Sequence, residues 1–154
     1  MLRGTCPAKI DDKGRLKIPQ GFRSLIEGEY GRDVFVTSVN GDHVRIYPMK
    51  VWNELEAQLL GGGGPFRDPA TARFFKLVNY FGQAAEIDNQ GRVLIHPHLR
   101  QKADTVGEVD VLGSVDHLTV WNHERLAADV EEHPITEADE FALARKHATA
   151  QQHE

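Results

Sequence analysis

Cysteine occurs only once in the 154 residues, at Cys6. A single thiol can form no internal disulfide, and it cannot supply the paired thiolates of a zinc site or a redox motif. We therefore interpret Cys6 as a small side chain that packs in the interior.

Long hydrophobic runs are also missing. No apolar segment approaches the ~18–20 residues that a membrane-spanning helix needs. Residues 1–15 lack the apolar centre of a signal peptide. We expect a cytoplasmic protein that has no membrane partner.

Positive charge is scarce overall, since the formal net charge is −5. This value at first argues against a nucleic-acid partner, because phosphate binding draws on concentrated lysine and arginine. The distribution is uneven, however: residues 1–23 hold six basic and two acidic residues, whereas residues 123–154 hold eight acidic and three basic ones. The asymmetry favours a basic working face and an acidic tail, although the same charges could simply solvate the surface.

The composition is that of a folded chain, with 40% hydrophobic and 27% charged residues. Its length suits one compact domain or two small halves that share a core. An internal repeat favours two halves, because residues 8–23 align with residues 85–100 at a constant offset of 77. The matching pairs are Ala8/Ala85, Ile10/Ile87, Asp11/Asp88, Gly14/Gly91, Arg15/Arg92, Leu16/Val93, Ile18/Ile95, Phe22/Leu99 and Arg23/Arg100.

Each repeat predicts the same local structure. A strand ends in Asp-x-x-Gly-Arg, where Gly14 and Gly91 permit a tight turn, and a second strand follows. A proline then opens a short helix that contains residues 22–26 in the first repeat and residues 99–103 in the second. The hairpins that follow pair residues 34–38 with 44–47, and residues 109–112 with 118–121.

Helical sequence separates and follows the two repeats. Apolar residues recur at helical spacing in residues 48–60 and again after Asp68, which is a typical N-cap residue. We expect a first unit at residues 5–47, a helical connection at 48–81, a second unit at 82–121, and C-terminal helices with an acidic tail at 122–154. The last helix is predicted to begin at Thr136, in a Thr-x-x-Asp pattern.

The paired Asp-x-x-x-Arg motifs, Asp11–Arg15 and Asp88–Arg92, resemble those of the MraZ family. The resemblance covers roughly residues 1–130 and includes the segments GRLKIP, GRVLIHP, YPMKVW and LTVWN. It implies a mainly β fold with helices (α+β), in which two tandem AbrB-like swapped-hairpin units form one pseudo-twofold barrel with peripheral helices. The tetraglycine at residues 61–64 and the acidic tail after residue 133 depart from the family pattern.

The resemblance also implies a function. Family members assemble into a homo-oligomeric ring and bind double-stranded DNA at direct repeats upstream of the division and cell-wall gene cluster, usually as repressors. We therefore expect a sequence-specific transcriptional regulator associated with the nucleoid. The alternative is a ring-forming scaffold or protein-interaction module that does not bind DNA.

Arg15 and Arg92 are the leading candidates for DNA contact. An arginine fork can bond both guanine acceptors in the major groove, but it can also pair with the aspartate four residues earlier. Asp11 and Asp88 therefore either hold the turn or orient the arginine. The residues assigned to the turn motif are Asp11, Gly14, Asp88 and Gly91.

Lys13 and Gln90 occupy equivalent turn positions. Lysine suits phosphate, and glutamine suits adenine or phosphate, so the two halves are not expected to contact DNA identically. Arg3 is a weaker candidate for DNA contact. We expect Arg23 and Arg100, which match each other, to form structural salt bridges.

Other kinds of site have little support. His96 and His98 flank a proline and offer two nitrogens at most, without a nearby cysteine, so we expect no metal. Residues 61–64 lack the Lys-Ser/Thr of a phosphate-binding loop. The sequence has no recognisable nucleophile motif. We therefore expect no cofactor, no small-molecule substrate and no enzymatic activity.

Overall fold

The computed structural model describes residues 1–61 and 68–152. These two ranges contain eight strands and six helices. In chain order the elements are β1 (Thr5–Ile10), β2 (Arg15–Lys17), α1 (Gln20–Glu29), β3 (Asp33–Thr37), β4 (Val44–Pro48), α2 (Met49–Leu60), α3 (Pro69–Tyr80), β5 (Gln83–Glu86), β6 (Arg92–Leu94), α4 (Pro97–Ala103), β7 (Gly107–Gly113), β8 (Leu118–Asn122), α5 (His123–Glu132) and α6 (Glu137–Gln152).

The strands form one antiparallel sheet in the order β5-β3-β4-β8-β7-β1-β2-β6. Strands β5 and β6 stand at opposite ends of this order, yet they follow each other in the chain and lie side by side. The sheet is therefore almost closed into a barrel. This architecture confirms the predicted α+β class.

The two repeats exchange strands throughout the barrel. Strand β1 of the first repeat pairs with β7 of the second, and β5 of the second pairs with β3 of the first. The equivalent strands β2 and β6 pair with each other, as do β4 and β8. These reciprocal pairings give the barrel the predicted pseudo-twofold arrangement, and neither repeat can complete it alone.

The core follows from alternation along the strands. Leu16 in β2 and Val93 in β6 are cross-strand partners, and both are buried while their neighbours face outward. The short helices α1 and α4 add Phe22 and Leu99 at equivalent positions. Burying an aliphatic or aromatic side chain of this size contributes about 1.5–3 kcal/mol, so the interlocked halves are held mainly by this shared interior.

A second apolar cluster joins helices α2 and α3 to the barrel. Trp52 of α2 stacks on Phe35 of β3 with ring centroids 4.6 Å apart, and Val78 of α3 is buried in the same cluster. The sequence explains where α3 starts, because the Asp68 side chain accepts a hydrogen bond from the Thr71 amide at 2.8 Å. The tetraglycine noted above begins at Gly61, which ends α2, and its residues 62–64 lie outside the described residues.

The C-terminal residues 124–154 form a separate compact unit. Helix α6 starts with the predicted cap, since the Asp139 amide donates to Thr136 Oγ1 at 3.1 Å and the Thr136 amide donates to Asp139 Oδ2 at 3.0 Å. No residue of α5 or α6 is buried in the part of these helices that the structure describes. Among the helices given above, none is long and apolar enough to cross a membrane.

Candidate functional site

The first turn, residues 11–15, is closed by a single carboxylate. Asp11 Oδ1 accepts hydrogen bonds from the Lys13 amide at 3.0 Å and from the Arg15 amide at 2.9 Å. Asp11 Oδ2 accepts a third bond from Arg15 Nε at 2.8 Å. The same aspartate therefore folds the backbone of the turn and fixes the direction of the arginine.

The second turn, residues 88–92, repeats this arrangement. Asp88 Oδ1 accepts from the Gln90 amide at 2.8 Å and from the Arg92 amide at 2.9 Å, and Asp88 Oδ2 accepts from Arg92 Nε at 3.2 Å. The two alternatives considered for the aspartates are thus not exclusive. Each aspartate holds its turn and also orients its arginine.

A glycine is required at the fourth position of each turn. Gly14 has φ +87° and Gly91 has φ +77°, in the left-handed region that side-chain-bearing residues rarely adopt. Space is also short, because a Cβ on Gly14 would lie 2.5 Å from Arg100 Cζ and one on Gly91 would lie 2.8 Å from Arg23 Cδ. Each turn is therefore covered by an arginine from the other half.

The two turns stand at opposite ends of the ribbon that β2 and β6 form. The Ile18 amide donates to the Gly91 carbonyl and the Ile95 amide donates to the Gly14 carbonyl, both at 2.9 Å. Ile18 lies four positions after Gly14, which corresponds to roughly 14 Å at the rise of an extended strand. The ribbon thus sets the spacing between the two arginines.

The arginine side chains remain accessible. The Arg15 and Arg92 side chains are 31% and 26% exposed, respectively. Lys13 and Gln90, at equivalent positions, are exposed. The structure thus brings four of the five predicted contact residues to the two turns.

Arg3 is the exception. It precedes β1, whereas the first turn follows that strand, and its backbone lies next to Gly113. The length of β1 therefore separates Arg3 from the first turn.

Sequence reasoning missed the side chains that cover the turns. Arg23 makes the expected salt bridge, with Nε 3.1 Å from Glu27 Oε1. The salt bridge expected for Arg100 was a wrong prediction, because its Nε donates to the Ile95 carbonyl at 2.7 Å and no ion pair of Arg100 occurs among the described residues. The equivalent positions of Arg23 and Arg100 in the two repeats were the sequence signal that could have indicated this covering role.

His96 and His98 do not come together as a site. The His98 ring packs edge-on against Tyr80, with centroids 4.9 Å apart, whereas His96 caps α4 through its backbone position. Across residues 1–61 and 68–152, no group of three or more histidine, cysteine or acidic side chains is arranged to hold a metal ion.

Hydrogen bonds to the turn carboxylates shift their acidity. The Arg15 amide is the largest influence that holds the pKa of Asp11 below its ordinary value of 3.8, and the Arg92 amide does the same for Asp88. Both aspartates are therefore ionised at neutral pH. The guanidinium groups add a smaller effect in the same direction.

The chain is similar to known proteins along most of its length. A family model described as "MraZ protein, putative antitoxin-like" matches residues 1–74 and 82–146. The chain is 42% identical over 144 residues to a protein of Acidobacterium capsulatum named transcriptional regulator MraZ, covering 94% of this chain and 97% of that protein. The chain belongs to the MraZ family.

Other relatives carry the same name. The transcriptional regulator MraZ of Koribacter versatilis is 43% identical over 145 residues, 94% of this chain and 97% of its own length. That of Neisseria meningitidis is 32% identical over 143 residues, 93% of this chain and 94% of its own length. The resemblance read from the two Asp-x-x-x-Arg motifs is confirmed.

In this MraZ-family chain, the turn glycine and a helical glycine should respond oppositely to alanine. Gly14→Ala should destabilise the fold by roughly 1–2 kcal/mol from the left-handed backbone alone, and more if Arg100 must move. Gly28→Ala, in α1 with open space around the added Cβ, should stabilise by roughly 0.5–1 kcal/mol. Urea denaturation of the two variants measures both values, and effects of the same sign would contradict this account of the turn.

The depressed pKa values predict a pH dependence. A carboxylate whose pKa is lower in the folded state stabilises the fold fully above its unfolded pKa, and this contribution is lost as pH falls through the folded pKa. The difference in unfolding free energy between the natural chain and an Asp11→Asn, Asp88→Asn double variant should therefore stay constant from about pH 7 to 5 and narrow below about pH 4.

The comparison has an internal control, because all other carboxyl groups titrate in both proteins. Their contributions therefore cancel in the difference between the two unfolding free energies. Chemical denaturation at a series of pH values supplies the measurement. A difference that does not change between neutral and strongly acidic solution would show that the aspartate charges do not stabilise the turns.

Proposed function

We propose that this protein is a sequence-specific DNA-binding transcriptional regulator that contacts double-stranded DNA through the first and second turns. The observation that carries the proposal is a pair of turns with equivalent internal hydrogen bonds at the two ends of the β2–β6 ribbon, each with an arginine fixed by its own carboxylate. The names of the relatives support the regulatory class.

The hydrogen bonding of the arginines suits base recognition. In both Arg15 and Arg92 the Nε atom is held by an aspartate, and no group in the described parts of the chain bonds their terminal nitrogens. Such a fixed, open fork can donate two parallel hydrogen bonds to the O6 and N7 atoms of guanine. Holding the side chain in advance lowers the ordering cost of the contact.

The ribbon itself has suitable dimensions. A two-stranded antiparallel ribbon fits the major groove of B-DNA, which is about 12 Å wide. The turns at its ends stand roughly 14 Å apart along the strands. Lys13 and Gln90 flank the two arginines, so Lys13 can contact phosphate where Gln90 contacts adenine or phosphate.

The proposal extends to assembly. Apolar side chains remain exposed on the helices between the repeats, notably Leu59, Leu60 and Tyr80. We infer that they meet a second copy of the chain in a closed homo-oligomeric ring. Several copies on direct repeats gain avidity, which compensates for the modest basic charge of each chain.

The finer details rest on the family resemblance alone. We propose that the target sites are direct repeats upstream of the division and cell-wall gene cluster, that binding represses transcription, and that the protein works in the cytoplasm on the nucleoid. A ring-forming scaffold without DNA binding is the competing function, and the following experiments separate the two.

Removing the arginine of the first turn should weaken recognition selectively. Arg15→Ala should reduce affinity for the repeats of the protein's own promoter by ~1–3 kcal/mol per base contact and relax specificity, because the fork that reads guanine is lost. Fluorescence anisotropy with cognate and scrambled duplexes measures both effects. Unchanged cognate affinity, with assembly intact, would favour the scaffold.

Two further variants act as controls in the same titrations. Lys13→Ala should weaken cognate and scrambled binding alike and lower the salt slope by about 1 per engaged site, as expected for a lost phosphate contact. Lys50→Ala, at an exposed position on α2 outside the turns, should leave binding unchanged. Asp11→Ala should reduce both affinity and melting temperature, because that carboxylate holds the turn and the arginine together.

Assembly has a separate test. Light scattering coupled to size-exclusion chromatography at micromolar concentration should report one discrete species larger than a dimer, because a head-to-tail ring must close. A monomer throughout that range would contradict the ring. A monomeric protein would not decide whether the turns recognise DNA, because the titrations above test that question separately.

A further inference from the structure

The two turns share their internal hydrogen bonds but differ in what holds them from outside. In the second turn, the Lys17 ammonium donates to the Gln90 carbonyl. Arg23 Nη2 donates to the Asn89 carbonyl at 3.2 Å, and Arg32 Nη1 donates to Asn89 Oδ1 at 2.7 Å. Three cationic side chains of the first half thus bind the backbone and side chain of a turn in the second half.

These side chains are themselves held in place. Glu27, in α1, lies 3.1 Å from Arg23 Nε and 3.7 Å from Arg32 Nε, so one carboxylate anchors both arginines. The Glu27 side chain is 24% exposed and that of Arg23 is 18% exposed. The tie to Asn89 therefore continues through a partly buried ion-pair cluster into helix α1.

The first turn lacks this bracing. At the repeat offset of 77, the counterpart of Lys17 is Leu94, which has no donor, and the counterpart of Asn89 is Asp12. Arg100, the counterpart of Arg23, lies over Gly14 but gives its Nε to the Ile95 carbonyl. Neither Leu94 nor Arg100, the counterparts of Lys17 and Arg23, donates a hydrogen bond to the first turn in the part of the chain that the structure describes.

We propose that the second turn is a preset contact and the first turn an adaptable one, with Lys17, Arg23 and Arg32 acting as positioning residues for Arg92. The inference rests on the proposed DNA contact through the turns and assigns them unequal roles. A turn that is also braced from outside binds at a lower ordering cost than one that is not, so Arg92 sets the register on DNA. The first turn, with Lys13 beside Arg15, adjusts to the backbone of the site.

Lys17 could influence DNA binding without positioning anything, by touching a phosphate itself. The two roles differ in the absence of DNA. A phosphate contact leaves the free protein unchanged, whereas a brace limits the local opening of the second turn, which amide hydrogen exchange reports. The comparison is well matched, because the amides of Gln90, Gly91 and Arg92 have the same internal bonds as those of their counterparts in the first turn.

The experiment is hydrogen–deuterium exchange by mass spectrometry on the full-length, assembled protein without DNA. In the natural chain, peptides that cover residues 87–92 should exchange about tenfold more slowly than peptides that cover residues 10–15. Lys17→Leu, which places the residue of the other half at this position, should speed exchange in the second turn about fivefold and leave the first turn unchanged.

The reciprocal variant tests whether a lysine added to the second half can hold the first turn in place. Leu94→Lys places an ammonium where it can reach the Lys13 carbonyl, and it should slow exchange in the first turn. Both positions are exposed, Leu94 at 43%, so both variants are expected to fold. Lys50→Leu removes an exposed lysine from α2 and should change exchange in neither turn.

DNA titrations with the same variants complete the test. Lys17→Leu should reduce the ratio of cognate to scrambled affinity about tenfold, because Arg92 loses its fixed position. Equal rates of hydrogen exchange in the two turns, or a rate in the second turn that Lys17→Leu does not change, would overturn the inference even if the protein binds DNA through the turns. A different result is that hydrogen exchange follows the prediction but all the turn variants bind DNA normally. That result would overturn the proposed function, and with it the role of the brace in DNA recognition.

Discussion

The hydrogen-bonded pairing of β2 with β6 is the constraint on which the rest of the structure depends. Each strand comes from a different repeat, and the ladder continues at both ends into the glycine of the opposite turn. The same ribbon buries Leu16 and Val93 in the shared core and fixes the spacing of the turns. Stability and the geometry of the candidate site are therefore not separate properties, because a change that loosens the ribbon affects both.

Duplication placed the same short motif in both halves, and in each half its aspartate has two roles. In each copy the aspartate closes the turn and orients the arginine, so the core of the motif cannot diverge without loss of the turn. The surrounding positions carry no such constraint. Lys17 and Leu94 differ at equivalent places, and only Lys17 offers an ammonium, which donates to the opposite turn. Asymmetry between the halves therefore arises at the variable positions inside the turns, Lys13 and Gln90, and beside them, at Lys17 and Leu94.

Much of the fold could be predicted from the sequence, because the repeat gave two copies of every local signal. The repeated turn motif and hairpin pattern located the strands, and Asp68 located the start of α3. Contacts between the halves could not be predicted, since they depend on how the strands exchange. The salt bridge expected for Arg100 illustrates the limit: Arg23 meets Glu27 four residues later within α1, whereas α4 ends at Ala103 and leaves Asp104 in a left-handed conformation, bonded to Asn122. Identical arginines therefore have different partners because their helices differ in length.

The charge distribution bears on how such a chain could hold DNA. Residues 1–123 contain fifteen basic and fifteen acidic residues, so the net charge of −5 lies entirely in residues 124–154. Part of the positive charge at the turns is also neutralised by Asp11 and Asp88. A single neutral barrel would release few counterions, and nonspecific electrostatic attraction would be weak. Under the proposed function, affinity for DNA would come from oriented hydrogen bonds repeated over the copies of a ring, and the fixed geometry of each turn would matter more than its charge.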